Sequence, residues 1–168
     1  MDSKLGEPLI IRASDQAHCF ATWDRLLINM WLGEMTLDAA QELVGAARRF
    51  VADSEGLPLS CLSIVGSDCP PPREKVRVQL ATTCRELEAA SVEQIWVAEG
   101  SQSRAALLLG VGLAVSTAAS PTLRLKFAVT VYEAAEMIAP RLSGASGRAP
   151  VLRSIVDQVR SHMRPSSP

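Results

Sequence analysis

Aromatic residues make up only 4% of the chain, histidines number two, and the formal net charge is −1. Each shortage excludes something. Balanced charge and a pI near 6.1 create no global field that would draw the chain to nucleic acid or to anionic lipid. So few aromatics leave no basic stripe interleaved with stacking residues, so a nucleic-acid partner is not expected. Arg153, Arg160 and Arg164 form only a modest cluster, interrupted by Asp157. His18 and His162 have no Ser or Cys at a spacing that implies a triad. His18 and Cys19 are neighbours, and on a strand they point to opposite faces, which argues against a Cys–His dyad.

The four cysteines, Cys19, Cys61, Cys69 and Cys84, include no CxxC pair, so a zinc knuckle or thioredoxin-type site is not expected. Neither GxGxxG nor GK[ST] occurs, so no nucleotide cofactor is expected. No metal site is expected either. The opening MDSKLGEPLI has no basic region followed by an apolar run. The expectation is a cytoplasmic chain with free thiols. One long uncharged run exists, Ala105 to Ala119, between Arg104 and Arg124. Its strongly apolar part is shorter than the roughly 20 residues of a membrane span. A buried helix is expected instead.

What is present suits one domain: 168 residues, 48% hydrophobic and 21% charged. Leu9 to Arg12 and His18 to Trp23 read as short strands around a polar turn. Asp24-Arg25 turns the chain into Leu26 to Leu32, an apolar run with one Asn that suits a central strand. Thr36 is placed to cap a helix with apolar residues at Leu37, Ala40, Leu43, Val44, Ala47 and Val51. Leu59 to Val65 is the next strand. GSDCPPP follows as a rigid loop, with Pro72 expected as the first residue of a helix. Val76, Leu80, Cys84 and Leu87 give that helix a narrow stripe.

Val92 to Ala98 is expected as a strand with Ile95 and Val97 on one face and Trp96 on the other. The helix from about Ser103 to Ala118 is apolar nearly all round, which predicts burial on more than one side. Gly110 and Gly112 within it read as a close-packing notch. Leu123 to Val129 alternates as an edge strand. Thr130 and Glu133 mark a capping box. SGASGRAP, residues 143–150, reads as a flexible linker. Val151 to Met163 is an appended amphipathic helix suited to partner docking or self-association. Residues 164–168 are a tail. The order predicts an α/β domain, a mixed β-sheet with interleaved helices.

The strand pair before GEMT (Gly33 to Thr36), the loop GSDCPPP, the segment AEGSQSRAA and VYEAAEMIAPRL together resemble STAS domains. They resemble more closely the bacterial proteins described as STAS/SEC14-like or SpoIIAA-like. The likeness covers about residues 9 to 142 and implies that residues 1–142 form a SpoIIAA/STAS-like α/β domain. It implies a regulatory or protein-interaction module rather than an enzyme. It also points to a regulatory loop at Ser67 and Asp68, where STAS antagonists carry a phosphorylatable residue. Here the sequence is Gly66-Ser67-Asp68-Cys69-Pro70. The glycine that follows the modified residue in the family is missing, which argues against a kinase-switched release of a partner.

Two further groups stand out. Gly100, Ser101, Ser103 and Arg104 follow a strand and open a helix, where backbone N–H groups favour an anion or an interaction turn. Leu107, Leu108 and Val111 form an apolar face that either fills a core or lines a ligand pocket. Glu99 is a lone carboxylate without an acid partner. Two functional expectations follow, with an enzyme of unknown class as a distant third. One is a non-enzymatic interaction module, whose partner is another protein or a second copy. The other is a carrier for a lipid or other small apolar ligand, marked by an enclosed pocket beneath Leu107, Leu108 and Val111.

Overall fold

The computed structural model describes residues 8–54, 56–144 and 148–163. A six-stranded sheet has its strands in chain order, from β1 to β6. β1 (Ile10–Ser14), β2 (His18–Trp23) and β3 (Leu26–Trp31) form an antiparallel meander. β4 (Ser60–Val65), β5 (Glu93–Ala98) and β6 (Lys126–Ala128) then add in parallel to β3, one after another. The structure is thus the α/β mixed sheet with interleaved helices that the element order predicts, and it is consistent with a STAS-like layout.

Parallel neighbours need crossovers, and right-handed crossovers stepping in one direction put every crossover helix on the same face. Accordingly α1 (Leu37–Asp53), α2 (Glu74–Ala89) and α3 (Gln102–Ala119) share one face with Phe20, Trp31 and Val65. The central strands are buried on both sides, so the alternate residues Ala21, Ile28, Ile64 and Val97 need separate cover. They receive it from α4 (Val131–Ile138) and α5 (Arg148–His162).

Local signals explain several boundaries. Thr36 caps α1, its hydroxyl accepting from the Ala39 N–H at 3.2 Å. Thr130 caps α4 in the same way from the Glu133 N–H at 3.1 Å. The Glu133 carboxylate reaches back to the Val129 N–H at 2.8 Å, one residue beyond the usual box partner. Pro72 is not the first helical residue. The three prolines remain outside the helix, and α2 starts at Glu74. β6 is shorter than its alternation suggests, three residues only. A short edge strand carrying Lys126, paired with Glu93, resists pairing with a foreign strand.

The C-terminal region differs most from its sequence expectation. The appended helix is part of the core: Leu152, Val156 and Val159 are buried against the sheet. Its apolar stripe is therefore occupied within the chain rather than free for docking. It begins at Arg148, so Arg148, Ala149 and Pro150 belong to its first turn and not to a linker. Pro150 is tolerated there because first-turn N–H groups have no helical partner. Residues 145–147 of the expected linker and the tail at 164–168, with Arg164, lie outside the described residues.

Ser143 is held in place. Its N–H and its hydroxyl donate to the two carboxylate oxygens of Asp24 at 2.8 and 2.7 Å. Asp24 lies in the β2–β3 turn with φ +51°, a conformation Asp tolerates. Its side chain is only 1% exposed, with the Arg148 guanidinium 3.9 Å away. Arg148 also donates to the Ser143 carbonyl at 2.6 Å and lies over the Trp23 ring, 5.2 Å from its centroid. One turn carboxylate therefore ties the start of α5 to the sheet. Asp24→Ala is expected to lower unfolding free energy by roughly 3 kcal/mol, the scale of two lost charge-assisted hydrogen bonds. Asp24→Asn should cost about half as much, since the Ser143 hydroxyl can turn to suit an amide. Urea unfolding checks both, and an Asp24→Ala loss below about 1 kcal/mol would remove the anchor from this account.

Candidate functional site

In open parallel sheets, ligands and partners gather where the loops leave the carboxyl ends of the strands. Here β4 and β5 are neighbours, so the loops after Val65 and after Ala98 leave the sheet side by side. Gly66 donates to the Trp31 carbonyl at 2.7 Å. A Cβ on Gly66 would lie 2.8 Å from a Leu32 methyl and 3.2 Å from the Trp31 carbonyl oxygen, so the two segments cross closely here. Gly100 has φ +115°, and a Cβ there would meet Arg104 Cδ at 3.1 Å and Ser67 Cβ at 3.3 Å. The two loop candidates, Ser67–Asp68 and Gly100–Arg104, are therefore one surface region.

Several of their polar groups have partners within the chain. The Ser101 hydroxyl caps α3 by accepting from the Arg104 N–H at 3.4 Å, and it pairs with the Ser103 hydroxyl at 3.2 Å. Arg104 does not face solvent as a free cation. Its Nη2 donates to the Gly66 carbonyl at 3.1 Å and to the Cys69 carbonyl. The guanidinium thus braces the proline loop from α3. Of the expected anion-binding or interaction turn at Gly100, Ser101, Ser103 and Arg104, the Ser101 hydroxyl and the Arg104 guanidinium are thus engaged within the chain. Ser67 and Asp68 are exposed on the turn that this brace holds.

Glu99 is likewise engaged. Its carboxylate accepts two hydrogen bonds from Arg160 of α5, at 2.7 and 3.1 Å. This pair, unforeseen in the sequence, fastens the far end of α5 to the end of β5. His18 has carboxylates at both ring nitrogens, Asp15 at 3.0 Å and Glu42 at 3.3 Å, and packs beside Phe20 and Trp31. Cys19 belongs to the opposite core, as strand alternation requires. Among the described residues, no three His, Cys, Asp or Glu side chains are gathered as a metal site would need.

The third candidate group is divided by the structure. Leu108 is buried, Val111 is half-buried, and Leu107 is 52% exposed. The expectation that α3 is covered on more than one side is therefore corrected. Its inner face consists of Leu108, Gly112, Val115, Ser116 and Ala119. The outer face carries Leu109 at 39% and Leu113 at 52% exposure as well as Leu107. At 100° per residue, Leu107 leans toward one flank and Leu109 and Leu113 toward the other, with Ala106, Gly110 and Thr117 between. Val78 of α2, 55% exposed, shares a groove with Ala114 and Ala118 and extends the face. No described helix is long and apolar enough to cross a membrane.

An open cleft of about 360 Å³ lies between the first turns of α3 and β6, at the same end of the sheet. The sequence expectation is an enclosed pocket beneath Leu107, Leu108 and Val111, and of these only Leu108 lines this open cleft. Of the two glycines read as a notch, only Gly112 serves close packing. A Cβ there would meet Phe127 at 3.0 Å and Trp96 at 3.1 Å, whereas one on Gly110 would meet nothing within 4 Å.

Two expectations follow. Gly100→Ala should destabilise the fold by about 1–3 kcal/mol, the cost of a side chain at an unfavourable φ. An unchanged denaturation midpoint would contradict the close approach of the two loops. The thiols give a second test. Burial pushes Cys61 and Cys84 up to about 12, and Cys69 up to about 11 despite the nearby Arg104 cation. Burial also raises Cys19. Native protein at pH 8 should therefore react with a thiol reagent negligibly, and fully once denatured. Above pH 9.0, the ordinary thiol value, the unfolded chain releases protons that the native one holds, so stability should fall toward pH 11–12. Stability flat or rising across that window would contradict the buried thiols.

Comparison of the chain with protein-family models, with curated proteins and with solved structures found no match, so its function is argued from this geometry.

Proposed function

We propose that this chain is a non-enzymatic, STAS-like interaction module that docks another protein, or a second copy of itself, through the outer face of α3. One observation carries the proposal: three leucines of α3, and Val78 of α2 beside Ala114 and Ala118, stand substantially exposed around the uncharged outer side of the helix. Isolated exposed leucines need no explanation, but a clustered apolar face does. No charge interrupts α3 after Arg104, while Glu74 and Arg77 of α2 lie beside its margin. An apolar centre with a polar rim is the usual anatomy of a docking surface.

The side chains available for chemistry support the same reading. Arg104 binds loop carbonyls and Glu99 binds Arg160, so neither is offered to a substrate. Ser67 is exposed beside Gly100 and accessible to modification, but without the following glycine of the family pattern. The proposal therefore rests on α3 and not on a phosphorylation switch.

The test is the double variant Leu107→Glu/Leu113→Glu. Both side chains face water, so the urea midpoint should stay close to that of the parent. Self-association followed by sedimentation velocity, and retention of any co-purifying protein, should fall at least tenfold. Undiminished association in a folded double variant would move the docking surface elsewhere and overturn the proposal.

A further inference from the structure

The cleft between α3 and β6 has a construction of its own. Its floor is the outer end of the sheet, where Trp96 of β5 and Phe127 of β6 meet edge to face, ring centroids 6.5 Å apart. One wall is the first two turns of α3, with Ala105, Leu108 and Leu109. Gly100 closes one end, and the contact of Gly112 with the two rings holds the helix against the floor further along. Val129 stands at the rim, 82% exposed. Among the described residues no charged side chain lines the cleft, and Gln102 contributes the one polar side chain.

These features select an occupant. A volume of about 360 Å³ falls within the range of small-molecule sites, roughly 300–1,000 Å³. A cleft of this size has room for a ring system or a short chain. An ionised group placed here would lose water and find no counter-charge. A single hydroxyl, carbonyl or amide would find Gln102, whose amide both donates and accepts.

We propose that this cleft binds a small, uncharged and mainly apolar molecule, its apolar body against Trp96 and Phe127 and its one polar group toward Gln102. The site borders the outer face of α3 and shares Leu109 with it, but Leu107 and Leu113 do not line it.

Nile red, an uncharged apolar dye, serves as probe. Titration of the full chain should give saturable binding at one site, read by dye emission and by a change in tryptophan emission. Trp23 and Trp31 are buried, so Trp96 supplies that change. Decan-1-ol should displace the dye at least tenfold more effectively than decanoate at pH 8. Ala105→Phe, which fills the cleft, should weaken dye binding at least tenfold. Val129→Glu adds a charge at the exposed rim without touching the core and should weaken it at least fivefold. Leu107→Glu/Leu113→Glu should change it less than twofold. No saturable binding, or binding unaltered by both cleft variants, overturns the proposal. So does loss confined to the outer-face variant, or equal displacement by alcohol and carboxylate.

Discussion

Strands laid down in chain order, each joined to the next parallel neighbour by a right-handed crossover, leave one face of a sheet without helices. That constraint shapes the rest of the molecule. Four parallel strands place α1, α2 and α3 together on one side. Ala21, Ile28, Ile64 and Val97 on the other side would meet water unless the chain returned to cover them. It returns as α4 and α5. A covering helix that is not a crossover is not fixed by strand connections and needs attachments of its own. Asp24 supplies one at the start of α5 and Glu99 the other near its end. Both carboxylates emerge from strand ends, one from the β2–β3 turn and one from the end of β5, so the returning helix is clamped at opposite ends of the strands.

The same winding order explains why both candidate binding surfaces involve α3. Each crossover helix is flanked by its predecessor and its successor, except the last. α3 packs on α2 along one flank. On the other flank it meets only a three-residue edge strand, after which the chain crosses to the opposite face. Two consequences follow from this position. The outer surface of α3 keeps leucines that no later element covers, and the space between α3 and β6 stays open. The inner face of α3 itself is packed, with Leu108, Val115 and Ala119 in one cluster with residues of α1 and α2.

The parts of this arrangement legible in the sequence are those with local causes. Thr36 and Thr130 announce helix starts because a capping hydroxyl acts within three residues. Ile95 and Val97 alternate with Trp96 because a strand has period two. The failures concern faces. In α3 nearly every position is apolar, so periodicity carries no direction, and Leu107 could not be told from Leu108. In α5 the stripe at Leu152, Ile155, Val156 and Val159 was plain, but a stripe states that a face is buried and not by what. Arg104 and Glu99 were read as available charges because their partners, the Gly66 and Cys69 carbonyls and Arg160, lie 35 or more residues away. The adjacency of Ser67 and Gly100 had a usable signal: two consecutive parallel strands put their carboxyl-end loops together.

Polarity at the carboxyl edge is spent on the protein itself. Arg104 fixes the proline loop, Ser101 fixes the helix start, and Glu99 fixes α5. Arg104 and Glu99 are half-buried groups that find partners within the chain, which is what satisfies such groups at least cost. A region organised in this way offers a visitor shape and apolar surface more than charge. Recognition here then depends on how firmly the ties hold the geometry, because leucines on α3 present one consistent face only while Arg104 and Gly112 keep the helix seated. The structural role of the loop residues and the binding role of α3 are for that reason the same physical problem: polar groups committed inside the chain hold still the apolar groups that face outward.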